Sequence, residues 1–232
     1  MTAVITGAAS GIGLALAEAL HARGTGLVLA DVNAPDLSEV AGRLGATAVP
    51  TDVTDPQALV ALADEAPGAR LVCLNAGILG QDLGAPWEVS AEDWDRVFAV
   101  NVAGVVNGLR AFVPRLLASG EPAHLLITAS LAGAATFPYG GAYGPSKHAV
   151  TSLATATAQA LADTPVGVTM LCPALVATKM SPEGVPPEEI AAAALRAVDE
   201  GRFAVVPEDW QETVVRQRRQ LVRGELPEVP PF

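Results

Sequence analysis

Residues 2–13 read TAVITGAASGIG, an apolar run followed by a glycine-rich turn. The run lacks polar alternation, as expected of a strand that is covered on both faces. Glycines at positions 7, 11 and 13 let the backbone turn tightly, and a helix predicted over Ile12–Arg23 then begins with free N–H groups. This order of strand, turn and helix predicts a binding site for a pyrophosphate.

The alternation of strand and helix continues along the chain. The predicted strands are Ala3–Thr6, Leu27–Ala30, Thr47–Val49, Leu71–Leu74, His124–Thr128, Val166–Leu171 and Phe203–Val206. The predicted helices are Ile12–Arg23, Pro35–Leu44, Pro56–Ala66, Ala91–Leu117, Ala142–Leu161, Pro187–Glu200 and Trp210–Arg223. This order predicts an α/β fold: a doubly wound, seven-stranded, mostly parallel sheet with helices on both faces. Asn101 competes with helical backbone bonding, so we expect a break there.

The chain is expected to form one domain over residues 1–232, since no Pro/Ser-rich linker or internal repeat divides it. Half of the residues are hydrophobic, which is enough for one sizeable core. The ending, residues 225–232, contains three prolines and is predicted to be an extended tail. Two alternatives stay open for this tail: it is disordered, or it packs on a neighbouring subunit.

Composition and charge exclude several classes of partner. The formal net charge is -11, and the one basic cluster, at residues 216–223, is typical of a solvated helix face, so no nucleic-acid partner is predicted. We see no membrane span and no signal peptide, and the cytoplasm is the expected compartment. Cys73 and Cys172 lie in apolar runs, which predicts buried, reduced thiols and no metal site.

Asp31 ends the second predicted strand, 24 residues after Gly7 and 18 after Gly13. A carboxylate at this spacing accepts hydrogen bonds from the adenosine ribose and repels a 2′-phosphate. No Arg or Lys stands at positions 10, 32 or 33 to attract that phosphate, so NAD is favoured over NADP. The alternative is that Asp31 only caps the next turn.

Three further strand ends are candidate nucleotide contacts, although each is also compatible with an ordinary loop. Asp52-Val53 follows the third strand, and Asn75-Ala76-Gly77 follows the fourth, where small residues permit close approach to adenine and ribose. The segment Pro173–Thr178 follows the sixth strand and offers backbone and hydroxyl groups to a nicotinamide carboxamide.

Tyr143 and Lys147 are four residues apart at the start of a predicted helix, so they share one face. The pairing is specific because the chain has only two tyrosines and two lysines. A neighbouring ammonium is expected to lower the pKa of the phenol, which then exchanges a proton with a carbonyl or alcohol oxygen. Ser130, at the end of the fifth strand, would hold that oxygen. The alternative is a surface tyrosine stacked on a lysine stem.

These motifs, in the order in which they follow one another from Thr6 to about Val206, resemble those of the short-chain dehydrogenase/reductase family. The resemblance implies a Rossmann-type domain that transfers a hydride between NAD(H) and an alcohol or carbonyl. It implies Tyr143 as the acid/base and Ser130 as the holder of the substrate oxygen. It further implies that Lys147 lowers the tyrosine pKa and binds the nicotinamide ribose, and that Asn101 holds a water linked to Lys147. The predicted nucleotide contacts are Gly7, Ser10, Gly11, Ile12, Gly13, Asp31, Val32, Asp52, Val53, Asn75, Ala76, Gly77, Tyr143, Lys147, Pro173, Val176 and Thr178.

The resemblance also implies a homodimer or homotetramer, often formed through helices Ala91–Leu117 and Ala142–Leu161. The second of these helices carries a stripe of small and apolar residues, which are Ala149, Val150, Leu153, Ala154 and Thr157. A stripe of this kind either faces a second subunit or packs on the sheet of its own chain.

The chain departs from the family pattern where Pro173-Ala174 replaces the usual Pro-Gly, and alanine would restrict the loop if φ must be positive. The stretch after Thr178 is short, which predicts an open pocket. Candidate wall residues predict a mostly apolar alcohol or ketone; they are Leu79, Leu131, Phe137 and Met180. Two other hypotheses remain: an NADP-dependent carbonyl reductase, and a non-catalytic dinucleotide-binding protein of the same fold.

Overall fold

A computed structural model of the chain describes residues 1–178 and 181–230. Seven strands form one sheet in the order β3-β2-β1-β4-β5-β6-β7, and every neighbouring pair is parallel. The strands are β1 (Thr2–Thr6), β2 (Gly26–Asp31), β3 (Thr47–Pro50), β4 (Ala69–Leu74), β5 (Ala123–Thr128), β6 (Val166–Leu171) and β7 (Ala204–Val205). The predicted doubly wound sheet is confirmed, and each predicted strand lies within two residues of its observed bounds.

The helices cover both faces of this sheet, as predicted. They are α1 (Gly11–Ala22), α2 (Ala34–Leu44), α3 (Pro56–Asp64), α4 (Ala91–Phe98), α5 (Gly104–Ser119), α6 (Tyr143–Ala160), α7 (Pro187–Asp199) and α8 (Glu208–Val222). One apolar cluster joins the sheet to α1, α2 and α7, and a second cluster joins its other face to α3, α5 and α6. The strands are therefore buried on both sides, which explains their apolar sequences.

The predicted break near Asn101 is confirmed. α4 ends at Phe98, a π-helical turn covers Ala99–Ala103, and α5 begins at Gly104. A π-helical turn inserts an extra residue into the helical ladder and is frequent at functional sites. The side chain of Asn101 is fully buried at this turn.

The sequence predicted no membrane span, yet the helical run Ala91–Ser119 is long and apolar enough to cross a membrane by length and hydropathy alone. Its first turn nevertheless carries Glu92 and Asp93. Further along, Phe112 and Leu116 are buried against the sheet. This is the pattern of a core helix, whose apolar side packs within the fold.

The ending of the chain folds back on α8. The Glu225 N–H donates to the Gln220 carbonyl, and the Glu228 N–H donates to the Gln220 side chain at 3.1 Å. Glu225 and Glu228 are thus bonded to α8 of their own chain, and packing of this segment on a neighbouring subunit stays a prediction. The predicted tail also includes residues 231–232, which lie outside the described residues.

The strand order reverses between β1 and β4, so the carboxyl ends of these two strands flank a crevice. In open parallel sheets, ligands bind at this switch point. The glycine-rich turn follows β1, and the segment that begins with Asn75 follows β4. Both therefore meet at this place in the fold.

Candidate active site

The turn between β1 and α1 closes only because its residues are glycines. Gly7 and Gly11 have φ angles of +68° and +54°, a region that other residues rarely adopt. A Cβ on Gly13 would lie 2.0 Å from the Gly7 carbonyl oxygen. Within the described chain the Ser10 side chain makes no capping hydrogen bond to α1, whereas side chains cap α2, α3 and α4. The first-turn N–H groups of α1 thus remain available to an anion.

Asn75 lies beneath this turn and ties three strand ends together. Its Nδ2 donates to the Thr6 carbonyl at 3.2 Å, and its Oδ1 accepts from the Thr128 hydroxyl at 3.0 Å. The Thr6 hydroxyl in turn accepts from the N–H groups of Asn75 and Ala76. The Asn75 side chain is therefore engaged by the protein, and it shapes the nucleotide end by fixing the turn above it.

Asp31 stands at the carboxyl end of β2, beside the same turn. Its Oδ2 accepts from the Ala9 N–H at 3.0 Å, and its Oδ1 accepts from the Asn33 N–H at 2.9 Å. The carboxylate thus does cap the following turn, and it also fixes the glycine-rich turn. Each carboxylate oxygen has a further lone pair that can accept a ribose hydroxyl. The neighbouring Val32 is 74% exposed and carries no charge.

Asp52 and Val53, after β3, are engaged by the chain itself. Asp52 Oδ1 accepts from the Thr54 N–H and hydroxyl at 2.9 and 2.8 Å, which closes a tight turn. Val53 is buried against Gly104, and its carbonyl accepts from Asn107 Nδ2 at 3.0 Å. Asp52 therefore shapes the loop after β3, and Val53 holds that loop against α5.

The segment after β6 reaches the glycine-rich turn. The Thr178 methyl lies 3.0 Å from the point that a Cβ on Gly11 would occupy. Two predicted nucleotide contacts that are far apart in sequence, Gly11 and Thr178, are therefore neighbours in the structure. The Pro173 carbonyl accepts from the Leu131 N–H at 2.8 Å, and Val176 forms a parallel bridge with Val185.

Ala174, where the family usually has glycine, fits this loop without strain. No described non-glycine residue has a positive φ, so the backbone conformation at position 174 does not require glycine. Leu79 and Phe137 are only partly buried, as pocket walls should be, whereas Leu131 is 4% exposed. The predicted wall residue Met180 lies outside the described residues.

The structure brings Ser130, Tyr143 and Lys147 together. Ser130 follows β5 and begins a 3₁₀ turn, Leu131–Gly133, while Tyr143 is the first residue of α6. Ser130 lies close enough to Tyr143 for its hydroxyl to affect the pKa of the phenol. Lys147 Nζ lies 5.7 Å from the centroid of the Tyr143 ring and donates to the Thr128 carbonyl at 3.1 Å.

Burial sets the pKa values of this cluster. Burial raises the pKa of Tyr143, and the hydrogen bond from Ser130 opposes this rise. Burial lowers the pKa of Lys147 to about 8, with the nearby Cys172 opposing. The prediction that Lys147 lowers the pKa of Tyr143 is therefore wrong for this structure, because desolvation outweighs any effect of the ammonium on the phenol.

Asn101 joins this cluster through the π-helical turn. Its Oδ1 accepts from the Ile78 N–H at 2.8 Å, and its Nδ2 donates to the Ile78 carbonyl at 2.9 Å and to Ser146 Oγ at 3.0 Å. Asn101 Oδ1 and Lys147 Nζ each lie 3.2 Å from the point that a Cβ on Gly77 would occupy. Any larger residue at position 77 would intrude between these two side chains.

Sequence reasoning missed three groups at this site. The Thr6 and Thr128 hydroxyls connect strand ends, and a threonine as the last residue of both β1 and β5 was the available signal. Cys172 follows β6 beside Ser130 and Lys147. Burial raises its pKa to about 11 although both neighbours oppose this, so it is a neutral thiol at pH 7.

Comparison with known proteins identifies the family to which the chain belongs. The family model of the short chain dehydrogenases matches residues 1–189. A relative from Streptomyces exfoliatus, 1-deoxy-11-beta-hydroxypentalenate dehydrogenase, is 42% identical over 222 residues, covering 87% of this chain and 80% of the relative.

Solved structures give the same result. A short chain dehydrogenase/reductase from Burkholderia phymatum in complex with NAD is 34% identical with a TM-score of 0.94, covering 100% of this chain and 97% of that one. A short-chain dehydrogenase from Sphingobium yanoikuyae in complex with NADPH is 25% identical with a TM-score of 0.81, covering 100% and 98%. This chain is an oxidoreductase and belongs to the short-chain dehydrogenase family.

Proposed function

We propose that the chain transfers a hydride between NAD(H) and a small alcohol or carbonyl compound, with Tyr143 as the general acid/base. The observation that carries this proposal is the placement of Tyr143 beside Ser130 and beside the buried amine of Lys147, whose Nζ lies 5.7 Å from the centroid of the Tyr143 ring. The cluster lies at the same sheet edge as the glycine-rich turn. A proton-transfer group and a nucleotide cradle thus share one crevice.

The residues present fit a dinucleotide. The first turn of α1 offers N–H groups that Ser10 does not cap, which suits a pyrophosphate. Asp31 suits the adenosine ribose hydroxyls, and Val32 offers nothing to a 2′-phosphate, so NAD(H) is the proposed cofactor. The solved relatives include complexes with NAD and with NADPH, so the choice rests on Asp31. When bound, the nicotinamide supplies or accepts the hydride.

The side chains of the cluster divide the remaining work. The Ser130 hydroxyl holds the substrate oxygen, and the Tyr143 O–H donates its proton to that oxygen as a carbonyl becomes an alcohol. Lys147 contacts the nicotinamide ribose, and Asn101 orders the water that connects Lys147 to solvent. In the opposite direction, the phenolate of Tyr143 accepts the proton of the alcohol.

The pKa of Tyr143 favours one direction at neutral pH. Because burial raises this pKa, the phenol stays protonated and ready to act as an acid, which is the form that carbonyl reduction needs. Alcohol oxidation needs the phenolate, so its rate should rise as the pH rises above 7, whereas the rate of reduction should fall once the phenol loses its proton. The cytoplasm remains the predicted compartment.

The test is a screen of ketones with NADH and NADPH, and of secondary alcohols with NAD and NADP. A relative is named as the dehydrogenase of a hydroxypentalenate, so bulky apolar secondary alcohols belong in the panel. NADH-linked turnover that Tyr143→Phe abolishes supports the proposal. Turnover only with NADPH would favour the carbonyl reductase hypothesis, and nucleotide binding without turnover of any substrate would favour a non-catalytic protein.

We further propose that the chain forms a dimer or tetramer. In the stripe on α6, Val150 and Ala154 are fully buried against the sheet of their own chain, so these two residues serve the core. Ala149, Leu153 and Thr157 are only partly buried, and although Leu153 also packs on the core of its own chain, we propose that their exposed parts face a second subunit. Light scattering should show a dimer or tetramer at micromolar concentration, and a monomer would contradict this.

A further inference from the structure

Gln217 is a buried amide on a helix that is otherwise largely exposed. Its side chain retains 5% exposure, while most residues of α8 face solvent. Its Oε1 accepts from the Thr136 N–H at 2.8 Å, and its Nε2 donates to the Thr136 carbonyl at 3.2 Å. Nε2 also donates to the Glu228 carbonyl at 2.8 Å. Burying an amide is unfavourable unless its hydrogen bonds are satisfied, and here both ends of the amide are bonded.

The two bonds to Thr136 fix the middle of a loop that matters for the chemistry. This loop, residues 131–142, connects Ser130 to Tyr143. The next residue, Phe137, makes an edge-to-face contact with Trp210 of α8, with ring centroids 5.8 Å apart. α8 therefore holds two consecutive residues of the loop, at a point between the two groups that are proposed to hold and protonate the substrate oxygen.

The same amide links the loop to the ending of the chain. The Glu228 carbonyl accepts from Gln217, its N–H donates to the Gln220 side chain, and its carboxylate pairs with Arg216 at 3.1 Å. The loop 131–142 thus meets α8 and the segment that follows it, residues 225–230, at one side chain. A segment of this length, rich in proline, would otherwise lose its order readily.

We propose that Gln217 is a positioning residue, which couples residues 225–230 to the loop 131–142 and thereby sets the affinity for the carbonyl substrate. This inference rests on the proposed function. Without Gln217 the loop samples more conformations, and substrate binding must then restrict it. The loss should appear mainly in KM for the carbonyl substrate. NADH binding should be unaffected, because the glycine-rich turn and Asp31 do not contact this loop.

The test compares Gln217→Met with the matched control Gln211→Met in the full-length protein. Both glutamines lie on α8, but Gln211 bonds only to the Val206 carbonyl next to its own helix. For Gln217→Met we expect KM for the carbonyl substrate to rise about tenfold, with kcat within about threefold and the NADH Kd within about twofold. Hydrogen exchange at residues 134–142 should accelerate, which a readout of activity alone would not show. Gln211→Met should match wild type in all four measurements.

A second variant, Gln220→Met, keeps both bonds to Thr136 and removes the acceptor for the Glu228 N–H. It tests the coupling even if Gln217→Met fails to fold, and we expect a rise in KM of about twofold to threefold with faster exchange in the loop. An unchanged KM together with unchanged loop exchange in either folded variant overturns the inference. If wild type turns over no carbonyl or alcohol, the proposed function fails, and the exchange data alone then decide whether Gln217 holds the loop.

Discussion

The site has two adjoining parts: a nucleotide end, formed by the glycine-rich turn, Asp31 and Asn75, and a reactive end, formed by Ser130, Tyr143 and Lys147. These two parts are built by opposite means. The proposed nucleotide end uses glycines, backbone amides and the Asp31 carboxylate, both of whose oxygens accept backbone N–H groups, and Asn75 joins Thr6 to Thr128 across three strand ends. The reactive end buries an amine, Lys147, to 3% exposure and places a partly buried phenol, Tyr143, beside it. The first arrangement stabilises the fold as it forms the site, whereas the second carries a desolvation penalty that only function explains.

This difference implies that the two ends can be disrupted independently. In the proposed mechanism, side chains at the reactive end act on the proton, whereas the turn at Gly7–Gly13 and Asp31 act on the nucleotide. A substitution at one end should therefore leave the measured property of the other end almost unchanged. The following predictions test that separation, beginning with the largest expected effect.

Tyr143→Phe should abolish turnover and leave the nucleotide end intact. Removal of an essential acid/base costs about 10²–10⁴-fold in rate, and we expect kcat to fall by this factor while the Kd for NADH stays within a few-fold. Steady-state kinetics and fluorescence titration with NADH measure the two quantities. Tyr139→Phe is the matched control, because Tyr139 is the other tyrosine and is 70% exposed. Near wild-type kcat in Tyr143→Phe would refute the mechanism.

Asp31→Ser with Val32→Arg should change the nucleotide end and leave the reactive end intact. A carboxylate at the ribose disfavours a 2′-phosphate, and we expect wild type to prefer NAD(H) by about 10²-fold in kcat/KM, near 2.7 kcal/mol. The double variant removes the carboxylate and adds a guanidinium that binds the phosphate, so NADP(H) should become the better cofactor.

The measurement is kcat/KM with both cofactors, and Val32→Arg alone is the control that keeps the carboxylate. Equal use of NAD(H) and NADP(H) by wild type would contradict the role of Asp31. Asp31 also accepts from the Ala9 and Asn33 N–H groups, so thermal unfolding should confirm that the double variant is folded.

The same contrast explains what the sequence could and could not predict. Gly7, Gly13 and Asp31 lie within one βαβ unit, so their spacing, together with the strand and helix between them, was enough to predict the glycine-rich turn and the local fold. Asn101 was expected to break a helix, and the local competition of its side chain with the backbone is enough to predict that. The pKa of Tyr143 was predicted in the wrong direction, because its burial comes from residues that only the folded chain brings near.

The contacts made by the ending of the chain could not be predicted from the sequence, for a related reason. Its proline content suggested either disorder or a partner, since composition reports local preference only. The contacts that fix residues 225–230 come from Gln217, Gln220 and Arg216, and such long side-chain contacts leave no periodic signal in a sequence. The roles of Thr6 and Thr128 were not predicted for the same reason, because the Thr6 hydroxyl bonds to the backbone at Asn75 and Ala76 and the Thr128 hydroxyl bonds to the Asn75 side chain, all distant in sequence.

Lys147→Met should stabilise the folded chain while it impairs turnover. Burial lowers the pKa of Lys147 to about 8 from 10.5, so at pH 7 the charged amine opposes folding by about 3 kcal/mol. Methionine fills a similar volume without charge but loses the hydrogen bond to the Thr128 carbonyl, about 1 kcal/mol, which leaves a net gain of about 2 kcal/mol.

The penalty for burying the charged amine of Lys147 is complete below pH 8, where the folded and the unfolded chain both bind the proton. Between pH 8 and 10.5 the unfolded chain binds more protons than the folded one, so wild type gains stability as the pH rises and the advantage of Lys147→Met shrinks. Urea unfolding at pH 7 and at pH 10 measures this, with Arg43→Met as the control, because Arg43 is a half-exposed cation paired with Glu18. A variant less stable than wild type at pH 7, or a difference that does not narrow by pH 10, would show that the amine of Lys147 is not held against its solvation.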